Sequence, residues 1–598
     1  MVDVEKEGKV KHPYFSGNYA PIYTFQQAHP CEFEGTIPAE FVGGQYVRNG
    51  SNALQDDAHS DLHWFDGDGM LSGVFFKRIS NSSGVRPMYS NRYILTDVHC
   101  ATAQNPLISP ITASVTTLLK PVVPQLRLAL GLIRTLAVIF ASIMNLIARP
   151  IRRISTANTN LIYHDGRVLA TNDVGPPMRV YLPSLQTVGW FQGNRAEGEP
   201  QTDIDGSHFG GPSVEGFCKE MTTAHPHIDH QTGELLLFHS TFIFPFVHYS
   251  IVAPGWSAKH APYLNQPVPG FTSGKLLHDF GVSHKHTVMI DPPLALHPSN
   301  ISHNRPVISY DPHGQTRFGV FPRYCPAQIQ WYETDPCCVL HTVNTWDEAV
   351  PWGTRVNLLV CRMNNAAPLY HMGNLDAPPQ ASSPAPECRL YYYQFPADGP
   401  KQITQQWALS AIPFEFPHIP HHLEMTPARF VYGCSMTQGN FAAVQKSSVK
   451  IDCLVKIDVQ RLLDQAEILS PAQVTGCVDK RSINEILATN DKDDPIQVFA
   501  LPYGWYAQEC SFVPRIDGTS EDDGWLVTYV FDESQLDVNG DAPATARSEL
   551  WIIDARNMRD VTAKVVLPQR VPYGMHGDWF SEEQILSQRE VNDFRSLD

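Results

Sequence analysis

The sequence lacks several features that mark common classes of protein. No run reaches the roughly 20 apolar residues of a membrane-spanning helix, and the most apolar region offers only 14 uncharged residues, 135–148. Neither a GxGxxG dinucleotide motif nor a phosphate-binding P-loop is present. Basic residues are also few, with 44 Lys and Arg against 61 Asp and Glu, so the net charge is −17. A protein this acidic lacks the basic face that phosphate backbones require, which excludes a nucleic-acid partner.

The cysteine pattern excludes a disulfide framework. Twelve cysteines are spread over 598 residues without a CxxC pair, and only Cys337 and Cys338 are adjacent. Residues 1–11 are charged and contain no apolar core of a secretory signal. These features predict a cytoplasmic protein with reduced thiols.

Helical periodicity is scarce, whereas short apolar or alternating runs are frequent. The chain has 48 prolines and 39 glycines, which separate these runs as turn residues do. The pattern predicts an all-β protein, either a β-propeller or a pair of β domains. Clean WD or kelch repeats are absent, so a propeller would be a diverged one. The predicted strands include 233–244, 286–291, 357–363, 389–395, 524–532 and 548–554.

One segment departs from the acidic average. Between Val98 and His164 there is no Asp or Glu, while six Lys or Arg residues are present. Apolar residues mixed with regularly placed arginines are typical of a helix that lies in the membrane interface. We predict a membrane-interacting helical insertion at 105–153 within a single domain, 1–598, and peripheral association with an intracellular membrane; the alternative is a buried core helix. The predicted membrane contacts are Leu128, Leu130, Leu132, Ile133, Val138, Ile139, Phe140 and Ile143.

Histidine is the residue type that most suggests chemistry, because a neutral imidazole is the commonest metal ligand in proteins. Four of the 25 histidines stand in distinctive contexts, separated by 53, 63 and 235 residues. These separations do not match a zinc finger or an HExxH helix, so a shared metal site would have to be assembled by the fold. A propeller can do this because the innermost strand of each blade faces one axis. The four are His225, His278, His341 and His576.

The sequences around these histidines belong to a larger set of motifs. Eleven motifs, in order along nearly the whole chain, resemble those of the carotenoid cleavage oxygenases, a non-haem iron family that also contains the retinoid isomerase and stilbene-cleaving enzymes. The motifs are YFSGNYAPI (14–22), YVRNGSN (46–52), HWFDGDGML (63–71), ISTANTNLIYHDGRVLA (154–170), TAHPHID (223–229), HDFGVS (278–283), GVFPRY (319–324), HTVNTWDE (341–348), FEFPHI (414–419), ECSFVPR (509–515) and MHGDW (575–579).

The resemblance implies a seven-bladed β-propeller with Fe(II) on its axis, held by these four histidines under a cap of helices and loops. In the TAHPHID motif, His225 is preferred because it precedes the proline, as in the family. The implied reaction cleaves a conjugated C=C bond with O2 to give two carbonyl groups. The alkene supplies the electrons, so neither NAD nor 2-oxoglutarate is expected. From the residues alone, a 2-His-1-carboxylate iron site that uses His227 and Asp229 stays open.

Metal-bound histidines usually donate their second ring N–H to a carboxylate. The resemblance places such acids at Glu415 and Glu509, while the third, a glutamate in the family, corresponds to Asp173 here. Aspartate is one methylene shorter, so either the backbone moves closer or a water molecule bridges the gap. Taken in chain order, consecutive members of this set of four histidines and three acids are 52 to 94 residues apart. We therefore predict that each blade contributes one of the seven residues from its inner strand.

The resemblance implies a hydrophobic polyene substrate. The ANTN motif and the arginine-rich insertion are most like the fungal apocarotenoid-forming branch, which includes torulene-cleaving enzymes. Asn172 stands where stilbene-cleaving enzymes have a lysine, which disfavours a stilbene. A retinyl ester isomerohydrolase, a lactonase-like metallo-hydrolase and a non-catalytic propeller stay open as alternatives. The sequence does not constrain the oligomeric state.

Overall fold

The computed structural model describes most of the chain, and its regular structure is mainly β. The described residues are 11–54, 62–79, 84–105, 114–120, 133, 137, 140–141, 144, 151–201, 209–210, 216, 219–255, 263–303, 305–351, 353–379, 386–399, 401–442, 448–468, 476–489 and 491–597. Several strands coincide with predicted runs: 286–291, 524–532 and 548–554 each correspond to one strand. The cysteines of the described part are not paired in disulfides.

In chain order the strands are β1 (His29–Pro30), β2 (Glu32–Gly35), β3 (Gln45–Arg48), β4 (Ser51–Asn52), β5 (Asp68–Arg78), β6 (Val85–Tyr93), β7 (Asn160–His164), β8 (Arg167–Thr171), β9 (Met178–Tyr181), β10 (Gln186–Trp190), β11 (His227–Ile228), β12 (Leu235–Ser240), β13 (Val247–Val252), β14 (Gln266–Pro267), β15 (Gly274–Lys275), β16 (Phe280–Val282), β17 (His286–Asp291), β18 (Leu294–Leu296), β19 (Ile308–Tyr310), β20 (Thr316–Pro322), β21 (Gln330–Thr334), β22 (Cys338–Val350), β23 (Gly353–Met363), β24 (Cys388–Pro396), β25 (Gln405–Ser410), β26 (Glu415–His418), β27 (Phe430–Ser435), β28 (Cys453–Asp458), β29 (Cys477–Asp479), β30 (Ile496–Ala500), β31 (Trp505–Ala507), β32 (Ser511–Pro514), β33 (Gly524–Asp532), β34 (Ser548–Asp554), β35 (Val561–Val566) and β36 (Gly577–Phe580).

Helices are short and connect or cover the strands. The α-helices are α1 (Asp97–Gln104), α2 (Val115–Leu119), α3 (Ala367–His371), α4 (Val459–Ile468), α5 (Ile483–Thr489) and α6 (Glu582–Leu586). The 3-10 helices are Pro13–Phe15, Gly17–Tyr19, Ala39–Phe41, Trp64–Asp66, Pro298–His303, Pro326–Gln328, His421–Leu423 and Glu533–Gln535.

Seven sheets surround one axis as the blades of a propeller, which confirms the predicted fold class. Numbered 1 to 7, their strand orders are β1-β6-β5-β3-β36 with β4 also paired to β5, β10-β9-β8-β7, β11-β12-β13-β14, β16-β17-β20-β21, β22-β23-β24-β25-β29, β26-β27-β28-β30, and β2-β35-β34-β33-β31 with β32 also paired to β33. The innermost strands of blades 1 to 7 are β36, β7, β11, β16, β22, β26 and β32. Among these, β36 contacts both β7 and β32, and β22 contacts both β16 and β26.

Both ends of the chain take part in closing the ring. The C-terminal strand β36 pairs with β3, so that Arg48 lies opposite Gly577. The N-terminal strand β2 pairs with β35 at the outer edge of blade 7, with Gly35 opposite Ala563. Blades 1 and 7 are therefore each completed by strands from the opposite end of the sequence.

The apolar core lies between adjacent blades rather than at the axis. One cluster joins blades 1 and 7 and contains Tyr46, Val74 and Tyr529, and another joins blades 4 and 5 through Phe318 and Tyr393. Burial on both faces explains strands such as β8, in which every residue is buried. Because packing fills the gaps between blades, the axis is left for polar side chains.

A small three-stranded sheet, β15-β18-β19, lies outside the blades. Strand β17 is antiparallel to β16 and therefore ends beside the start of β16, from where the chain enters β18. This places the small sheet at the end of the propeller where the inner strands begin. The Val307 N–H donates to the Leu118 carbonyl at 2.9 Å, which ties the last turn of α2 to this sheet. These elements are the described part of the predicted cap.

Most of the predicted insertion falls outside the described residues, including Leu128, Leu130, Leu132, Val138, Ile139 and Ile143. Residues 133, 137, 140 and 141 are helical, and the Met144 N–H donates to the Phe140 carbonyl at 2.9 Å. Ile133, Phe140 and Met144 are exposed, so the alternative of a buried core helix is wrong at these positions. In the part of the chain that the structure describes, no helix is long and apolar enough to cross a bilayer.

We expect Gly35→Ala to destabilise the protein more than Gly540→Ala does. Both glycines have left-handed φ angles, +85° and +74°, and an L-residue in that region costs roughly 1–2 kcal/mol. A Cβ at Gly35 would also lie 2.2 Å from the Thr562 carbonyl oxygen, whereas Gly540 faces open space. Chemical denaturation should show at least twice the loss of unfolding free energy at Gly35. Equal losses would mean that the β2–β35 pairing does not contribute to closure.

Candidate metal centre

The four predicted histidines come together on the propeller axis. Three directly precede or closely precede inner strands β11, β16 and β36, and the fourth lies near the start of β22. Their ring centres are close: His225 lies 4.6 Å from His278, 5.0 Å from His341 and 4.8 Å from His576. The ring centres of His341 and His576 are 4.8 Å apart. We call these four the axial histidines.

The ring nitrogens of three axial histidines converge in a way that suits a cation. One nitrogen each from His225, His341 and His576 lies within 4.8 Å of the others. The Nε2 atoms of His341 and His576 are 3.2 Å apart. The Nε2 of His225 is buried and has no hydrogen-bond partner among the described residues. A buried polar atom without a partner is costly, so these nitrogens fit a bound metal ion.

Two glutamates set the orientation of two of these rings. The Nδ1 of His341 lies 2.5 Å from Glu415 Oε2, and the Nδ1 of His576 lies 3.0 Å from Glu509 Oε1. When each Nδ1–H donates to its carboxylate, the Nε2 lone pairs of both rings face each other across the axis. A proton or a metal ion is then needed between them, and the carboxylate–histidine–metal arrangement is the usual one in proteins. Glu509 also accepts from the Gly577 N–H at 2.8 Å.

Asp173 stands near His278 but does not reach it. Its Oδ2 is 3.8 Å from His278 Nε2, while its Oδ1 accepts from the Ala224 N–H at 2.9 Å. The Nδ1 of His278 donates instead to the Leu340 carbonyl at 2.7 Å. With Nδ1 bonded to Leu340, Nε2 is the ring nitrogen left for a metal ion, so Asp173 does not support His278 in the way that Glu415 and Glu509 support their histidines.

The seven predicted residues lie on seven different blades, as expected. Six of them lie in the innermost strands, directly before them, or in the break between β31 and β32 that holds Glu509. Asp173 differs, because it follows β8, the second strand of blade 2. The prediction that every one of them comes from an inner strand is therefore wrong for Asp173.

Burial and charge give the axial histidines different proton affinities. Burial lowers the pKa of His225 well below its usual value, and the imidazoles of His278 and His576 lower it further. Burial also lowers the pKa of His278. For His341, burial acts in the same direction, but the Glu415 carboxylate and nearby acids raise the pKa overall. Burial raises the pKa of the Asp173 carboxyl group. His225 and His278 are therefore held neutral, as metal ligands must be.

The alternative pair, His227 and Asp229, does not form a metal site. The Nε2 of His227 lies 3.1 Å from Asp279 Oδ1, and the Asp229 carboxylate binds the buried guanidinium of Arg323. The two side chains are committed to different partners. The choice of His225 over His227 agrees with this geometry.

Sequence reasoning missed two residues that shape the centre. Phe416 has a left-handed φ of +51°, which is unusual for an aromatic residue, and its ring centre lies 5.7 Å from those of both His341 and His576. Thr223 accepts from the His225 N–H at 3.0 Å and donates to the His278 carbonyl at 2.8 Å. Both residues lie in or beside recognised motifs, but only the fold gives them these roles.

The comparisons with known proteins agree with this geometry. The family model described as RPE65, retinal pigment epithelial membrane protein, matches residues 19–581. The chain belongs to this carotenoid oxygenase family. Within the family, carotenoid dioxygenase carX of Gibberella fujikuroi is 46% identical over 98% of this chain and 92% of its own. These findings confirm the predicted family and the predicted dioxygenase class.

Solved structures related to the family share the fold. The crystal structure of Pseudomonas brassicacearum lignostilbene dioxygenase has a TM-score of 0.67 at 19% identity, covering 95% of this chain and 98% of its own. That of cobalt-substituted Synechocystis ACO has a TM-score of 0.62 at 18% identity, covering 94% and 97%. Likeness at this identity supports the propeller architecture.

We expect Glu415→Gln to lower the affinity of the centre for Fe(II) by about 10- to 100-fold, because the amide no longer acts as a charged acceptor for His341 Nδ1–H. Iron retention during dialysis against a graded chelator series measures the effect. Glu467→Gln, at an exposed position of α4, is the control and should match the wild type. Unchanged iron retention in Glu415→Gln would show that Glu415 does not support His341.

Proposed function

We propose that the chain is an iron-dependent carotenoid cleavage dioxygenase that holds Fe(II) with its axial histidines, His225, His278, His341 and His576. The observation that carries the proposal is the 3.2 Å separation of His341 Nε2 and His576 Nε2, with both Nδ1 atoms beside carboxylates. Four imidazoles suit iron, and they distinguish the centre from the carboxylate-rich centre of a propeller hydrolase. The proposal of a four-histidine iron site does not require Asp173 to contact His278.

Residues around the axial histidines would hold the iron ligands in place. Bound ferrous iron would supply the centre at which O2 is activated beside the double bond. Glu415 and Glu509 hold His341 and His576 in one tautomer, and Phe416 presents an apolar ring next to both histidines. In the overall reaction the C=C bond breaks, each carbon gains one oxygen atom, and the alkene reduces O2 by four electrons. The reaction therefore balances without NAD or 2-oxoglutarate.

We propose a carotenoid, with torulene as the first candidate, as the substrate. The name of the 46% identical Gibberella fujikuroi relative supports a carotenoid. The stilbene alternative needs a cationic side chain for a phenol, but Asn172 is uncharged and its amide donates to Asn158 Oδ1 at 2.7 Å and Thr156 Oγ1 at 3.1 Å. Position 172 is thus committed to the protein itself.

We also propose that the cap end of the propeller contacts a membrane surface. Phe140 is 62% exposed, and the exposed positions 133, 137, 140 and 144 have the spacing of one helix face. Phe242, Ile243 and Phe244 are exposed as well, with Phe244 at 78%. They follow β12, which is antiparallel to β11, and so lie at the end of the blade where His225 is found. Exposed apolar groups near the site would let a polyene enter from the bilayer.

We expect His341→Ala to lose both bound iron and carotenoid cleavage, because one of the converging nitrogens is removed. His313→Ala, an exposed residue between β19 and β20, should keep both. Each protein is loaded with Fe(II) without oxygen and given torulene, β-carotene or a phenolic stilbene. Oxygen is then admitted and the aldehydes are identified by mass spectrometry.

Three results would count against the proposal in different ways. Cleavage of the stilbene alone would move the enzyme to the stilbene-cleaving class. Wild-type activity in His341→Ala would remove His341 from the centre. Hydrolytic activity with zinc or calcium, and none with iron, would replace the dioxygenase by a hydrolase.

We expect the double variant Phe140→Asp, Phe244→Asp to bind liposomes more weakly. Burying a Phe side chain contributes about 1.5–3 kcal/mol, so each loss should lower the partition coefficient roughly 10- to 100-fold. Co-sedimentation with phosphatidylcholine vesicles containing an anionic lipid measures this. Ile516→Asp is the control, because Ile516 is exposed beyond the far end of β32. If the double variant sediments like the wild type, these side chains do not contact lipid.

A further inference from the structure

The axial cavity has a second group of imidazoles and carboxylates at its far end. The cavity has a volume of about 180 Å³ and is lined near one end by His225 and near the other by His230, His421 and Glu424. His230 lies in the turn that follows β11, five residues beyond His225. His421 and Glu424 follow β26 in blade 6. We call His230, His421 and Glu424 the far cluster.

The far cluster has the spacing of a metal site. One ligand atom from each of the three side chains lies within 4.8 Å of the others. The Nδ1 of His421 is 2.7 Å from Glu424 Oε1, and the ring centres of His230 and His421 are 5.7 Å apart. His421 begins a 3-10 helix, in which side chains at i and i+3 project to the same side. Glu424 is therefore held beside His421 by the local backbone.

A further carboxylate fixes the orientation of His421. Its Nε2 lies 2.9 Å from Oδ1 of Asp578 on β36. When Nε2–H donates to Asp578, the neutral ring presents its Nδ1 lone pair to the Glu424 carboxylate. Two acceptors at 2.7 Å need a cation between them, either a proton or a metal ion. A zinc-binding histidine usually donates one ring N–H to a carboxylate and binds the metal ion through its other ring nitrogen. Asp578 would be that carboxylate for His421, and Nδ1 would be the nitrogen that binds the ion.

A neighbouring histidine strengthens the case. His418 lines the same cavity, and its ring centre is 5.5 Å from that of His421. Its Nε2 is buried and has no hydrogen-bond partner among the described residues. A buried nitrogen without a partner, next to the far cluster, is a second sign that a ligand completes this end of the cavity.

We propose that His230, His421 and Glu424 bind a divalent transition-metal ion of the zinc type, separate from the axial histidines. Two imidazoles and one carboxylate, with a fourth position left for water, are the ligand set of an open tetrahedral zinc site. His230 belongs to blade 3, and the other two ligands belong to blade 6. The ion therefore links two blades across the axis. Binding displaces the proton between His421 and Glu424.

The test uses the full-length protein with iron already loaded at the axial histidines. After chelation of loosely held metal, Zn²⁺ is added, and isothermal titration together with elemental analysis gives its stoichiometry and affinity. We expect one zinc per chain in addition to the iron. His230→Ala and Glu424→Gln should each weaken zinc binding at least 10-fold. His422→Ala is the matched control, because His422 is exposed on the same 3-10 helix and should bind zinc like the wild type.

Thermal unfolding gives a second test, because the zinc ion would link blades 3 and 6. Zinc should raise the thermal unfolding midpoint of the wild type and of His422→Ala, because an ion bound only by the folded state stabilises it. The same addition should leave His230→Ala unchanged. Metal-free His230→Ala and wild type should unfold at the same temperature, which shows that the variant folds.

Three outcomes would overturn the proposal. One is that the wild type takes up no zinc at 100 µM, which is about 1,000-fold above the dissociation constant of roughly 0.1 µM or tighter expected of a structural zinc site. Another is that zinc enters only by displacing iron, which elemental analysis of the same sample detects. The third is unchanged zinc affinity in both His230→Ala and Glu424→Gln. Iron content is measured throughout, so failure here is distinguishable from failure of the proposed dioxygenase function.

Discussion

The closed ring of seven inner strands is the constraint on which the rest of the structure depends. His576 illustrates this, because its carbonyl accepts from the Asn49 N–H at 2.8 Å and its own N–H donates to the Thr159 carbonyl at 3.2 Å. These bonds tie the last axial histidine to strands near the start of the chain. The pairing that closes the propeller is therefore also the one that positions His576. A weakened closure would change the metal centre even if every ligand were present.

Burial decides how the centre can hold a cation. His225 and His278 have lowered pKa values because their rings are buried, so they offer lone pairs rather than protons. Burial also acts to lower the pKa of His341, but the neighbouring Glu415 carboxylate raises that pKa overall. The centre thus combines neutral donors with anionic support behind two of them. This balance attracts a divalent ion, whereas a ring of four unsupported imidazoles would attract it less strongly.

Much of the fold and of the centre could be predicted, because the sequence motifs contain the residues that the blades contribute to the axis. The runs at 286–291 and 524–532 became single strands since alternation and turn residues are local signals. The position of Asp173 after the second strand of blade 2 could not be predicted, since spacing along the chain does not distinguish neighbouring strands. Phe416 was missed because its residue type does not indicate a left-handed φ; in the fold its N–H donates to Glu415 Oε2 at 2.6 Å and its ring lies beside His341 and His576. The far cluster joins His230 to His421, 191 residues apart, and no local spacing marks such a pair.

The two ends of the axial cavity differ in chemistry because the inner strands all run in the same direction along the axis. Residues that begin these strands, such as His225 and Glu415, face the capped end, where exposed Phe242 and Phe244 lie. Residues at or beyond their far ends, such as His230 and His421, are polar and partly exposed. Covering the carboxylates at the far end with an apolar group would cost desolvation free energy, whereas the exposed aromatic side chains at the capped end carry no charge. At the far end, His421 lies between Glu424 and Asp578, at 2.7 Å and 2.9 Å. The common direction of the inner strands thus places apolar side chains at one end of the propeller and charged ones at the other.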